Sequence, residues 1–100
     1  MSKTYYVGYP SLDHVPYRIG EPFTADTIAE ARWKAVDVLR ASPYEFGFLC
    51  IVHKDSVESK GTISARGFYS PCLVKDGFTA LAFGMKTFED TWKPVKSPNH

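Results

Sequence analysis

The first apolar block, Thr4 to Tyr9 (TYYVGY), is a run of β-formers that ends at Pro10. It predicts a strand with Tyr5, Val7 and Tyr9 on one side and Tyr6 on the other, because successive side chains alternate across a strand. Residues 10–23 contain Pro10, Pro16, Pro22 and Gly20. They read as a long loop with a short extended piece at Tyr17-Arg18-Ile19. Ile28, Ala31, Ala35, Val38 and Leu39 then recur at helical spacing and predict an inward stripe. Thr27 followed three residues later by Glu30 spells a capping box, with Thr24 as an alternative start, and Pro43 stops the helix near Ser42. Glu30 and Lys34 are spaced for an ion pair. Arg32 breaks the pattern, since at about 100° per residue it projects between Leu39 and Val36 on the apolar side. It must either snorkel past the edge or meet a buried partner.

Phe46 to His53 (FGFLCIVH) is apolar on both faces. That predicts an internal strand covered on both sides, or one that offers a face to a partner. The polar stretch from Lys54 to Gly61 reads as a mobile loop. From Thr62 to Tyr69 the chain alternates, with Ile63, Ala65 and Tyr69 on one side and Ser64, Arg66 and Phe68 on the other, until Pro71. Phe78, Leu81, Ala82, Met85, Phe88 and Trp92 fall on one helical stripe. They predict a second helix over 77–92 with Asp76 as its cap, against the hairpin that Asp76-Gly77 would also allow. Residues 95–100 read as a frayed tail. The order strand, helix, strand, strand, helix predicts an α+β fold: an antiparallel sheet of about three to four strands with two helices on one face. Residues 1–100 are expected to form a single domain.

Twelve Lys and Arg against eleven Asp and Glu leave a formal net charge of +1, so no broad field draws the chain to nucleic acid or an anionic membrane. No apolar run reaches membrane-spanning length, no signal-peptide pattern opens the chain, and Cys50 and Cys72 lack a C-x-x-C spacing. These features predict a cytoplasmic protein with no membrane partner. The aromatic share is 15%, and Tyr and Trp suit a surface that must bind something as well as a small core.

The residues that carry chemistry do not assemble into a set. His14, His53 and His100 have no paired spacing, so neither a metal nor a cofactor is expected. Cys50 and His53 are three apart on one strand and point to opposite faces. Cys72 is a candidate nucleophile only if folding brings a base such as His14 beside it. There is no G-x-S-x-G, phosphate loop or G-x-G-x-x-G. No catalytic residue is assigned, and a non-enzymatic protein is expected.

Two resemblances bear on function. Tyr5-Tyr6-Val7-Gly8-Tyr9-Pro10 resembles the short aromatic signature of the RNA-recognition motif, and Arg66-Gly67-Phe68 is similar to the opening of its longer signature. The pattern departs from the family at Tyr69-Ser70-Pro71. That resemblance implies an open sheet on which Tyr6 and Phe68 stack bases. The first half of the chain, a strand followed by a Thr-opened helix with Glu30-Ala31 and Ala35 and then an apolar strand, resembles in layout small phage-encoded accessory proteins, including some anti-CRISPR inhibitors. Such proteins occupy a surface of a host complex and carry no cofactor. The favoured reading is a protein-binding module, with inhibition of a host protein or nucleoprotein complex as the form that the second resemblance implies. A single-stranded nucleic-acid binder is the alternative, an enzyme using Cys72 is third, and self-association is admitted. The expected partner-binding residues are Tyr6, Arg66 and Phe68 on the outer sheet face, and Trp33 on the helix flank beyond Val36.

Overall fold

The computed structural model describes residues 2–9, 17–71 and 92–96. Their order is β1 (Lys3–Tyr9), β2 (Tyr17–Ala25), α1 (Ile28–Arg40), β3 (Phe46–Val52), β4 (Val57–Ser64), β5 (Phe68–Ser70) and β6 (Lys93–Pro94). The six strands form one sheet in the order β2-β1-β3-β4-β5-β6, and every neighbouring pair is antiparallel. This corrects the expectation of three to four strands and two helices. Among the described residues there are six strands and a single helix; of the second helix expected over 77–92, residues 77–91 lie outside them and Trp92 is not helical.

Three local features account for the extra strands. Residues 17–25 form a full strand although Gly20 and Pro22 punctuate it. Tyr5 pairs with Phe23 and Val7 with Ile19, so Gly20, Glu21 and Pro22 together bulge opposite Tyr6. A bulge on an edge strand is where a proline costs no ladder hydrogen bond. The polar residues from Val57 to Gly61, expected to be loop, pair with β3, as in Val52 with Val57 and Ile51 with Glu58. Partner geometry overrides their polarity here, because their side chains point to solvent at the sheet's end. The stretch from Thr62 to Tyr69 is a hairpin instead of one strand. Ala65, Arg66 and Gly67 turn the chain, with Gly67 at φ 92, and Ser64 pairs with Phe68 and Ile63 with Tyr69. Because paired residues share a face, the expected sides survive the turn: Ile63, Ala65 and Tyr69 all pack on the α1 side.

Helix α1 starts as its sequence spells. The Thr27 hydroxyl accepts from the Glu30 N–H at 3.1 Å, while the Glu30 carboxylate accepts from the Asp26 N–H at 3.1 Å and pairs with Lys34 Nζ at 3.1 Å. The helix ends at Arg40. Ala31, Ala35, Val36 and Leu39 are its buried residues, whereas Ile28 is exposed and Val38 half-buried. The inward stripe is therefore rotated slightly toward Val36.

The sheet is buried on both faces at its centre. Beneath α1 lie Tyr5, Val7, Ile19, Ala25, Leu49, Ile51 and Ile63, with Tyr9, Phe23 and Tyr69 packed around them. On the opposite face Tyr6, Phe48 and Cys50 form a second cluster. Thr62, Ser64 and Ser70 are buried beyond it. Strand β3 thus runs internally with side chains buried on either side, Phe48 and Cys50 on one and Leu49 and Ile51 on the other.

Candidate functional site

The described charges divide between the two ends of the sheet. Toward the end where Phe46 pairs with Ser64, a set of cations is gathered by strand pairing and by contacts of two arginines. Arg40, in the last turn of α1, donates from Nε to the Ala65 carbonyl at 3.0 Å. Its guanidinium also lies 3.5 Å from where a side chain on Gly67 would begin, so it grips the β4–β5 turn whose middle residue is Arg66. The Gly67 carbonyl accepts from the Val95 N–H at 2.7 Å, which places Lys96 beside the same turn. Tyr69 pairs with Lys93 across β5 and β6, so their side chains share the α1 face. Arg32 lies over the Tyr69 ring, 3.7 Å from its centroid. The anomalous cation of the helix has met an aromatic partner, and its aliphatic stem fills the space at the edge of the apolar stripe.

Trp33 joins this edge through helix geometry. Seven residues are close to two full turns, so Trp33 and Arg40 stand one above the other on the flank next to Arg32. Trp33 is half-buried. Among the described residues two carboxylates border the edge, Asp37 on the helix and Glu45, whose carbonyl accepts from the Ala65 N–H at 2.7 Å. Among the described residues no ion pair involves Arg32, Arg40, Arg66, Lys93 or Lys96. The pairs that form belong to Lys34, His53 and Lys60, nearer the opposite end.

Of the four residues that the sequence nominated, Arg66 and Phe68 lie in and beside the β4–β5 turn, Phe68 on the face turned away from α1. Trp33 lies on the flank of α1, and Tyr6 is set apart in the buried cluster. Arg66 is exposed in the turn, and Phe68 is half-buried at the start of β5. Tyr6 faces away from α1, as alternation predicts, but only 8% of it is exposed and it packs with Phe48 and Cys50. Burial, and then the neighbouring Cys50, push its phenol up to about 12. Burial likewise raises the Cys50 thiol to about 11, which keeps it protonated and unreactive at neutral pH. Cys72 lies outside the described residues. Arg40, Tyr69, Lys93 and Lys96 were not nominated. Only Arg32 carried a signal in the sequence, its place on the apolar side of the helix.

Exposed apolar residues are scattered by comparison. Val52 and Val57 face each other at the far end of the β3–β4 hairpin, while Ile28 opens α1 and Tyr44 lies against Tyr9 at a tilt, with centroids 4.2 Å apart. Among the described residues no group of three or more His, Cys, Asp or Glu could hold a metal ion, and no helix is long and apolar enough to cross a membrane. No protein-family model matches the sequence, and no curated protein or solved structure matches it.

Proposed function

We propose that this chain is a non-enzymatic protein-binding module that docks through the edge formed by α1 and the β4–β5 turn. One observation carries the proposal. Arg40 fastens the end of the helix to the Ala65 carbonyl, which joins the flank that carries Trp33 and Arg32 to the turn that carries Arg66. Arg, Trp and Tyr are the side chains that most often anchor protein interfaces. A surface already held by internal contacts loses little freedom on binding. Inhibition of a host protein or nucleoprotein complex, in the manner of the phage-encoded accessory proteins whose layout the first half of the chain resembles, belongs to the same reading. The sheet-face form of nucleic-acid binding has less support, because it needs Tyr6 open to a base and Tyr6 is buried.

The test is photo-crosslinking in the cell of origin. A photoreactive amino acid replaces Trp33 in one variant and Lys54, in the hairpin at the opposite end of the sheet, in another. Capture of a defined protein from position 33 alone, followed by reconstitution of that pair from purified components, supports the reading. Equal capture from both positions, or none from position 33, overturns it.

A further inference from the structure

We infer that the docking edge recognises an acidic protein segment, its carboxylates meeting the guanidinium groups of Arg32, Arg40 and Arg66; the inference rests on the binding-module reading. Among the described residues, five cations (Arg32, Arg40, Arg66, Lys93 and Lys96) border two carboxylates, Asp37 and Glu45, and no ion pair neutralises any of the five. The chain as a whole has a net charge of only +1, so the excess among the described residues at this edge comes from how the fold gathers them.

The two helical arginines are also pre-positioned. Arg40 spends one N–H on the Ala65 carbonyl, and a guanidinium has five, so its terminal amino groups keep their donors. Arg32 presents its face to Tyr69, which leaves its in-plane N–H groups directed away from the ring. A planar fork with its stem already fixed matches the two oxygens of a carboxylate and gives the shorter, stronger charge-assisted bonds. Backbone carbonyl and ring contacts hold these cations without cancelling their charge. An internal salt bridge would have cancelled it.

A phosphodiester chain would meet the same cations, but single-stranded nucleic acid also needs aromatic faces on which bases stack. Among the described residues several of those faces are taken. Arg32 covers the Tyr69 ring, Tyr6 is buried, and Tyr9 and Tyr44 lie against each other at a tilt. Trp33 and Phe68 are half-buried and lie on opposite sides of the sheet. The edge strand β6 carries Lys93 and Pro94, a combination that blocks strand addition, so the acidic segment binds through side chains.

The experiment uses the full chain and two probes at low ionic strength, a fluorescein-labelled polyglutamate peptide and a labelled oligothymidylate of equal charge. Three charge-neutralised forms are compared: Arg40→Gln with Arg66→Gln, Arg66→Gln with Lys96→Gln (which leaves the Arg40 contact intact), and Lys3→Gln with Lys54→Gln as an equal charge loss at the other end. The peptide should bind the parent chain. It should lose about tenfold or more of its affinity in both edge variants, and no more than about twofold in the control pair. Amide resonances of residues 65–69 should shift on titration. Absence of peptide binding, equal losses in the control pair, or tighter binding of oligothymidylate than of peptide would each overturn the inference. Should the edge-neutral variants still yield the adduct from position 33, acidic recognition falls while the binding-module reading stands; loss of that adduct together with peptide binding in the edge variants supports both.

Discussion

The guanidinium carbon of Arg32 sits 3.7 Å from the centre of the Tyr69 ring, so the one cation on the apolar side of α1 is held by the sheet. This contact links the helix to β5, a strand of three residues near the sheet's edge. A half-buried cation–π pair of this kind contributes roughly 0.5–2 kcal/mol. In a double-mutant cycle with Arg32→Gln and Tyr69→Leu, the coupling energy from chemical denaturation should fall in that range. Strict additivity of the two substitutions would show that the ring and the cation are merely adjacent.

Leu39 and Val38 are neighbours in sequence but not in burial. Leu39 is fully buried against the sheet, whereas Val38 is half-buried. Leu39→Ala should therefore cost about 2–5 kcal/mol, as a deletion that leaves a cavity in a packed core does. Val38→Ala should cost clearly less, because part of its surface is already in water. Equal losses in urea unfolding would contradict the orientation of α1.

Gly61 sits at a bulge in β4. Phe48 pairs with Thr62 and Cys50 with Ser59, so Lys60 and Gly61 together face Leu49. Gly61 has φ 129, and a Cβ built on it would run into the Ser70 carbonyl oxygen on β5. Gly61→Ala combines a disfavoured backbone conformation with a backbone collision, and should cost roughly 1–3 kcal/mol or more. A melting temperature within error of the parent would mean that β5 does not pack against β4 at this point.

Tyr6 and Cys50 face each other across β1 and β3, and both are harder to ionise when folded. Burial raises the thiol from 9.0 to about 11. Burial and the adjacent thiol raise the phenol from 10.0 to about 12. A raised folded-state value stabilises the fold fully below the unfolded value, and that stabilisation is lost as pH climbs through the folded one. Between about pH 9 and 12 the unfolded chain releases these protons before the folded chain does. Stability should therefore fall across that window, and the fall should be shallower in the Tyr6→Phe, Cys50→Ala double variant. An unchanged alkaline slope, measured by denaturant titration at successive pH values, would exclude this pair as its source.

Much of the local structure was legible before any coordinates. The β1 run, the Thr27 start of α1, the Glu30–Lys34 pair and the internal character of β3 are all set by contacts within a few residues or by apolar runs that water will not accept. The sides taken by Tyr5, Val7, Ile63 and Tyr69 were legible for the same reason, since alternation is a property of the extended backbone itself. Strands β2 and β4 were not legible. In each, a bulge interrupts the alternation, and much of the strand is polar because it lies at an edge or end of the sheet. The turn at Ala65–Gly67 was hidden as well, because Arg66-Gly67 continues a period-two pattern that a tight hairpin also satisfies.

By itself the sequence determined which face each alternating strand residue takes, the Thr27 start of α1 and the internal character of β3. These are outcomes of short-range sterics, capping hydrogen bonds and apolar spacing. Tertiary structure alone decided that Tyr6 is buried and that Arg32, Arg40, Arg66, Lys93 and Lys96 meet at one edge. Those residues come from α1, from the β4–β5 turn, from β6 and from the residues just after it. Their proximity depends on long-range strand pairing and on the Arg40 grip on Ala65, and no local pattern of residues encodes either.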